Sequence, residues 1–406
     1  MSATLLEPTR FPRLNAPTIH TLPNGLTIIA EQMPIAAMNL SLWTGVGSAV
    51  ESDAINGMAH FLEHMVFKGT PNLDCGEFER VVEERGAITN AATSQDYTHF
   101  YITTAPQDFA DLAPLQEDVV MKPCIDAQAF EQERPVSLEE IRRSLDNPRR
   151  RVFSRAMEAS FARLPYRRSV LGPTEVIEQL TPDQMREFHQ TWYRPQNLVA
   201  VAVGNLPVEE MVETLVDSFE RSGTPRDRTP LSGRAESSGA AHRAGALPAE
   251  PRLAQITQHD YVDASLQQAR LLMCWRVPGM ANLDDTYALD ILATILGRGR
   301  TSRLTRELRE ERGWVNSISA TNMTFAHQGV FYISAQLPAE NLAQVEAAIL
   351  AQLRQVHTAT VTAAEVNRIR TQVANRYIFG NETPSDRAGL YGYYHTLAGD
   401  LGHALN

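Results

Sequence analysis

Two histidines and a glutamate lie within five consecutive residues, His60-Phe61-Leu62-Glu63-His64. On an α-helix, positions three or four residues apart share one face, so His60 and His64 can bind a single metal ion while Glu63 lies beside them. This H-x-x-E-H order reverses the common H-E-x-x-H motif of zinc peptidases. Zinc held by two histidines and a carboxylate keeps a position open for water and lowers the pKa of that water to about 7. The spacing therefore predicts a hydrolytic zinc site with Glu63 as its general base.

A chance occurrence is the alternative, because the chain has 11 histidines and a histidine on an apolar helix is usually structural. The residues around the motif are strongly apolar, and burying two imidazoles and a carboxylate among them is costly without partners. Asn56-Gly57 before the motif and Lys68-Gly69 after it are expected to delimit the helix. These features favour a metal site over chance.

A catalytic zinc ion requires a third protein ligand, and the acidic segment over residues 130–141 has helical periodicity. Glu133 and Glu140 are seven residues apart and share one face, whereas Glu139 points about 100° away, toward solvent. Spacing alone does not decide between Glu133 and Glu140. Without the first motif, the same acids would be interpreted as an exposed face that pairs with neighbouring arginines.

Four short segments resemble the pitrilysin/insulinase family of zinc peptidases. They lie at residues 22–26, 45–48, 57–70 and 90–93. The resemblance covers nearly the whole chain and is strongest to the short-chain branch, which contains the mitochondrial processing peptidases and their bacterial counterparts. It implies that Glu140 is the third zinc ligand and that Glu133, two turns earlier, is the additional acidic residue important for catalysis. Pro135 between them departs from the family pattern, removes one backbone donor and favours a kink.

The resemblance also implies residues that bind the substrate. Asn90, Ala91 and Ala92 match the edge strand against which family members lay an extended peptide by β-augmentation. In the second domain, family members place an arginine seven residues before a tyrosine, and this pair orients the substrate and stabilises the oxyanion. Arg309 matches the arginine, but Asn316 stands where the tyrosine should be and has a shorter reach. We therefore expect a weakened substrate clamp in this chain.

Length and composition are those of an ordinary globular protein of two to three domains, with 406 residues, 43% hydrophobic and 21% charged. Residues 222–252 are rich in Gly, Pro, Ser and Ala, as flexible linkers are. They separate an N-terminal zinc-binding catalytic domain, residues 1–221, from a C-terminal domain, residues 253–406. Short gaps between strands, without regular βαβ alternation, predict α+β domains in which a mostly antiparallel sheet is flanked by helices.

Matching sequences in the two halves predict a duplication. The tetrapeptide Glu-Glu-Arg-Gly at residues 83–86 recurs at residues 310–313, and each copy is followed by Phe-Tyr-Ile. Residues 284–292, which correspond to the metal helix, contain no histidine, so one metal site per chain is expected. By the same offset the second copy ends, at Asn406, before its closing strand. We expect that later residues or another segment complete its sheet.

The net charge of −11 argues against a nucleic-acid partner and favours basic peptide segments as substrates. No apolar run approaches the roughly 18 residues that a membrane span needs, and residues 1–4 do not begin a signal peptide. A soluble protein of the bacterial cytoplasm or periplasm is therefore expected. The odd number of cysteines, three, implies no disulfide framework.

The chain length bears on the expected assembly. Long members of the family that this chain resembles join four such domains around a chamber, whereas short-chain relatives dimerise, sometimes with a partner that lacks zinc ligands. The resemblance therefore implies that this chain is the metal-bearing subunit of a heterodimer whose homologous partner carries an intact Arg/Tyr pair. The alternatives are a self-sufficient homodimeric peptidase and a non-catalytic structural subunit like the core proteins of respiratory complexes.

Overall fold

Two β-sheets flanked by helices make up the protein, as seen in a computed structural model that describes residues 16–221 and 247–405. The first sheet has the strand order β1-β2-β6-β3-β5-β4. Neighbouring strands are antiparallel, except that β2 and β6 are parallel. The strands are β1 (Thr18–Thr21), β2 (Thr27–Gln32), β3 (Met38–Thr44), β4 (Ile88–Thr93), β5 (Thr98–Thr104) and β6 (Leu198–Gly204).

The described first half contains eight α-helices. They are α1 (Met58–Met65), α2 (Glu77–Glu84), α3 (Phe109–Met121), α4 (Ala127–Asp146), α5 (Pro148–Ser160), α6 (Thr174–Ile177), α7 (Pro182–Trp192) and α8 (Val208–Arg221). One face of the sheet and the apolar faces of these helices, except α5, form the largest hydrophobic core.

The second sheet has the order β7-β9-β8 and is antiparallel throughout. Its strands are β7 (Ala269–Pro278), β8 (Ser317–Met323) and β9 (Gln328–Leu337). The helices of this half are α9 (Leu283–Gly297), a π-helical segment (Thr305–Glu311), α10 (Leu342–Thr358), α11 (Ala363–Phe379), α12 (Pro384–Ala398) and α13 (Gly402–Leu405). Within the described ranges β7 pairs on one side only, with β9. No helix in these ranges is long and apolar enough to cross a membrane.

The two halves repeat one arrangement, which confirms the predicted α+β class with two homologous domains. Strand order β7-β9-β8 in the second sheet corresponds to β3-β5-β4 in the first, and each Phe-Tyr-Ile lies on the middle strand, β5 or β9. The repeated tetrapeptide ends a helical segment in both halves. Gly86 has φ 64° and Gly313 has φ 63°, a left-handed conformation that glycine adopts without steric cost.

Helix α12 follows the second sheet in sequence but packs on the first sheet. α12 packs on β3 and β6 of the first sheet, where Arg387 and Tyr391 bind the buried Glu31 carboxylate at 2.6 Å each. A Cβ at Gly392 would lie 2.1 Å from Nε1 of Trp43, so only glycine permits this approach. The predicted boundary at residues 253–406 therefore separates α12 from the sheet that it covers. The physical reason is that β6 is buried along its whole length, which requires cover on both faces of the sheet.

The predicted linker, residues 222–252, falls partly outside the described residues. At its described end, Glu250 is buried and its Oε1 accepts hydrogen bonds from the backbone N–H groups of Ala162, Arg163 and Leu164, at 2.9, 2.5 and 2.9 Å. Glu250, which falls within the predicted linker, is therefore anchored to the first half. A composition rich in small residues does not reveal a single buried carboxylate.

A second contact between the halves involves the turn between β4 and β5. The Asp96 carboxyl accepts hydrogen bonds from the Tyr166 hydroxyl and from the backbone N–H of Ala326, each at 2.9 Å. Tyr166 also stacks on Phe325, with ring centroids 4.4 Å apart. Burial of this carboxyl group raises the pKa of Asp96 from 3.8 to about 6, although the two hydrogen bonds oppose the shift.

This shift predicts a pH-dependent stability difference between the protein and its Asp96→Asn variant. Between about pH 4 and pH 6 the folded state keeps a proton that the unfolded state has lost, so the free energy of unfolding falls as pH increases across this window. The loss is about 1.4 kcal/mol per unit of pKa difference, and it is constant above the window. Asparagine does not ionise, so the variant lacks this decline. Denaturant unfolding of both proteins between about pH 4 and pH 8 measures this difference in the free energy of unfolding. Parallel curves of unfolding free energy against pH would contradict the raised pKa of Asp96.

Candidate active site

Helix α1 carries the two histidines, and its first turn is held by groups outside the helix. Gly57, the N-cap residue, has φ 96°, and a Cβ there would lie 2.6 Å from the carbonyl oxygen of Leu171. The buried Glu51 carboxylate accepts hydrogen bonds from the backbone N–H groups of Gly57 and Ala59 at 2.8 and 2.7 Å. Burial raises the pKa of Glu51 to about 7 despite these bonds. The helix begins after Gly57, as predicted, but ends at Met65, before the predicted Lys68.

Helix α4 lies against α1 and supplies the acidic residues. The rings of Phe61 on α1 and Phe130 on α4 pack with centroids 4.6 Å apart. Phe130, Ser137 and Ile141 form the buried stripe of α4, and its helical assignment continues through Pro135. This packing rotates α4 so that Glu133 and Glu140, which flank the stripe, both reach the histidines of α1.

Three side chains converge into one cluster of possible metal ligands. His60 Nε2 lies 3.1 Å and His64 Nε2 lies 3.7 Å from Oε2 of Glu140, and one ligand atom from each residue falls within 4.8 Å of the others. Ligand atoms around a tetrahedral zinc ion, at bond lengths near 2.1 Å, are about 3.4 Å apart. Two imidazole nitrogens and a carboxylate oxygen are also the donor types that zinc takes in catalytic sites. The cluster therefore fits zinc in both spacing and chemistry.

Glu133 lies behind His64 rather than in this cluster. Its Oε1 is 3.0 Å from His64 Nδ1, and its Oε2 is 2.7 Å from Lys68 Nζ. Burial acts to raise the pKa of Glu133, but the hydrogen bonds from Lys68 and His64 outweigh it and keep this pKa below its usual value. When Nδ1–H donates to a carboxylate, the lone pair of Nε2 faces the metal. The geometry thus gives Glu133 the position of a residue that orients a metal-binding imidazole.

Glu139 is turned away from the cluster. Its two carboxylate oxygens accept hydrogen bonds from Arg142 at 2.7 and 2.8 Å, and one of them also binds Arg143 at 3.0 Å. These bonds, those of Arg142 first, lower the pKa of Glu139 to about 2. Although it is adjacent to Glu140 in sequence, it belongs to the exposed face of α4.

Glu63 and the edge strand β4 meet at the side of α1. β4 is the last strand of the first sheet and pairs with β5 on its inner side. Asn90 and Ala92 are exposed, whereas Ala91 is partly buried against the core. The hydroxyl group of Thr93, the last residue of β4, donates a hydrogen bond to Oε2 of Glu63. Sequence reasoning used Lys68 only as a helix boundary and residue 93 only as part of a matching segment, and it gave Glu51 no role. None of the three was predicted to contact the site.

The two residues of the predicted substrate clamp, Arg309 and Asn316, make contacts elsewhere than at the proposed metal ligands. Arg309 is on the π-helical segment, and its guanidinium group binds the adjacent Glu310 carboxylate, with Nε 2.8 Å from Oε1. Asn316 precedes β8, and its backbone N–H donates to the carbonyl oxygen of Gln336 at 2.8 Å. Among the described residues, no recorded contact joins Arg309 to His60, His64 or Glu140.

The H-x-x-E-H order on α1 is the motif of the inverzincin zinc peptidases. Residues 27–174 match the model of the insulinase family, peptidase family M16, and residues 179–373 match the model described as the peptidase M16 inactive domain. The chain is 30% identical to an uncharacterized zinc protease of Mycobacterium tuberculosis, over 93% of this chain and 83% of that protein. It is 27% identical to zinc protease PqqE of Helicobacter pylori, over 92% and 82%. This chain belongs to the insulinase (M16) family.

Solved structures agree with this assignment. A crystal structure of a protease from Helicobacter pylori has a TM-score of 0.83 and 26% identity, over 96% of this chain and 91% of that one. The M16 inactive domain protein from Pseudomonas fluorescens shares the fold, with a TM-score of 0.77 and 20% identity over 96% and 89%. The cofactor of this protein is zinc, because His60, His64 and Glu140 offer the donor atoms that zinc takes and the relatives are named as zinc proteases.

Proposed function

We propose that this chain is a zinc-dependent endopeptidase in which His60, His64 and Glu140 hold the metal and Glu63 is the general base. The observation that carries the proposal is the convergence of the three ligand atoms within 4.8 Å. Glu63 lies on α1, the helix that carries both histidines. All four positions of the motif and its partner helix are intact, which argues against a purely structural subunit.

The residues of the chain have separate tasks in the proposed reaction. Zinc, when bound, supplies Lewis-acid chemistry that polarises a carbonyl group and increases the acidity of water. The Glu63 carboxylate accepts a proton from the attacking water as the new carbon–oxygen bond forms. It then delivers that proton to the amide nitrogen as the carbon–nitrogen bond breaks. Glu133, supported by Lys68, keeps the His64 ring in the orientation that ligation requires.

We propose that an extended peptide pairs with the outer edge of β4 through Asn90, Ala91 and Ala92. Two facts support this: β4 ends the first sheet, and it packs beside α1. Backbone pairing of this kind is largely independent of the side chains of the peptide. Sequence preference would then come from the pockets and the chamber around the strand.

We further propose that full activity requires a homologous partner chain. Asn316 stands where related peptidases carry a tyrosine, and Arg309 is bound by Glu310 in this chain. Activating the water does not by itself orient the peptide, and the loss of one donor to the oxyanion typically costs about 100- to 1,000-fold in rate. A partner with an intact Arg/Tyr pair would supply these donors.

The test compares peptide turnover per bound zinc for the isolated chain with turnover after mixing with a related chain that lacks H-x-x-E-H. We expect low turnover alone and an increase of about 100-fold or more in the pair. Native mass and metal content are measured on the same samples. Equal turnover by the isolated chain as a homodimer would contradict the heterodimer and favour the self-sufficient peptidase. Zinc-independent turnover, or none in any mixture, would contradict the peptidase assignment itself.

A further inference from the structure

The Thr93 hydroxyl group, which donates to Oε2 of Glu63, connects the edge strand to the motif helix. We propose that Thr93 is the positioning residue of the general base, and that it holds the Glu63 carboxylate in the orientation needed for proton transfer. This inference rests on the proposed peptidase function. It assigns a task to a residue outside the H-x-x-E-H motif and its partner helix.

The strand register aims Thr93 at the helix. Successive residues of a strand point to opposite faces, and along β4 the burial alternates, with Thr89, Ala91 and Thr93 on the more buried side. α1 packs on this strand. The side chain of Thr93 therefore points toward α1, while Asn90 and Ala92 point to solvent.

A buried residue of the neighbouring strand lies beside Thr93. Thr93 is directly opposite Thr98 in the β4–β5 pair, and their hydroxyl oxygens are 3.3 Å apart. Thr98 is fully buried and donates to the carbonyl oxygen of Val46 at 2.8 Å, which ties it to the core. Thr93 is thus fixed by its backbone pairing and by its β-branched side chain, which lies against Thr98.

The phenol group of Tyr193 is close enough to Glu63 and Thr98 for both to affect its pKa. This residue is buried, and burial, followed by the nearby charge of Glu63, raises the pKa of Tyr193 above its usual value. The phenol group therefore stays protonated and neutral. The side chain of Thr93 is thus the group that donates a hydrogen bond to Glu63 in this region.

A single hydroxyl donor suits a general base better than a cation does. Thr93 occupies one oxygen of Glu63, and Oε1 accepts no recorded hydrogen bond from the described residues. Glu139, by contrast, has both oxygens bound by the guanidinium of Arg142. Proton transfer requires a free carboxylate oxygen at hydrogen-bond distance from the proton. Because β4 also presents the proposed peptide-binding edge, one rigid strand would set the positions of base and substrate together.

The test uses Thr93→Val, which keeps the size and β-branching of the side chain but removes the donor. We expect kcat for a fluorogenic peptide to fall about 10- to 100-fold, while KM, the affinity for zinc and the unfolding temperature stay close to those of the parent protein. Thr93→Ser restores the hydroxyl group and should recover most of the lost rate. The matched control is Thr89→Val, on the same face of β4, whose hydroxyl group binds the carbonyl oxygen of Tyr101 instead; it should leave kcat unchanged.

A double variant shows whether Thr93 acts through Glu63. In the Glu63→Gln background, Thr93→Val should cause little further loss, because residues that act as one unit are not additive. Equal losses in both backgrounds, or a kcat of Thr93→Val equal to that of the parent protein, would overturn the positioning role. A fall in zinc affinity would assign Thr93 to metal binding instead and would also overturn it. The parent chain, assayed with and without a chelator, tests the peptidase function separately: absence of zinc-dependent cleavage there contradicts that function before Thr93 is considered.

Discussion

Glu63→Gln is expected to leave zinc bound while peptide hydrolysis falls at least about 100-fold, which is the usual contribution of a general base. Glutamine has the size of glutamate, and its amide oxygen can still accept the hydrogen bond from Thr93. It cannot accept the proton of the attacking water. The three residues of the metal cluster are unchanged in this variant, so the metal affinity should be that of the parent protein.

Two measurements on one preparation test this expectation: zinc content after dialysis, and kcat/KM with a fluorogenic peptide in the presence of the partner chain. Glu139→Gln is the matched control, because it makes the same chemical change on the exposed face of α4, where Arg142 and Arg143 bind the carboxylate. Near-parental activity of Glu63→Gln would refute its role as the base. A loss of zinc in this variant would instead make Glu63 part of the metal site.

The second large effect concerns metal affinity. His60→Ala, His64→Ala and Glu140→Gln each remove one of the three converging donor atoms, and we expect each to lower the zinc affinity by more than 100-fold. Glu133→Gln keeps a hydrogen-bond acceptor near His64 but removes the charge, so a smaller loss of about 10- to 100-fold is expected. Glu139→Gln should leave the zinc affinity unchanged.

Competition with a chromogenic chelator ranks the five variants on one scale. Circular dichroism of each variant distinguishes loss of a ligand from loss of the fold. A ranking with Glu139 above Glu140 would refute the position that the structure gives these side chains on α4. A loss for Glu133→Gln as large as that for Glu140→Gln would make Glu133 a ligand and contradict the hydrogen bond that it accepts from His64.

Glu133 and Glu140 show what residue spacing cannot predict about the site. Seven residues place both on one face of a helix, and periodicity treats them alike. In the folded chain, the contact between Phe61 and Phe130 sets the position of α4 against α1. Glu140 then reaches both Nε2 atoms, whereas Glu133 reaches Nδ1 of His64. Their different surroundings come from packing between two helices, which no local pattern encodes.

One carboxylate that supports the site, that of Glu51, was not predicted from the sequence. Glu51 precedes the motif by nine residues in a short irregular stretch, and only its burial against the first turn of α1 shows that it accepts the N–H groups of Gly57 and Ala59. The sequence predicted a helix that starts after Gly57, because Asn56 and Gly57 interrupt the chain just before the apolar run. It did not predict what satisfies the first backbone donors of that helix.

The sequence by itself determined the metal motif, the helix that carries it, the α+β class and the duplication. These depend on periodicity and on short repeats, which neighbours along the chain specify. Only the tertiary structure decided that α12 covers the first sheet, where Tyr391 binds Glu31 across 360 residues of sequence. The unbroken burial of β6 indicates that both faces need cover. Which helix provides that cover depends on how apolar surfaces from the whole chain are buried together, and this free energy has no local sequence signature.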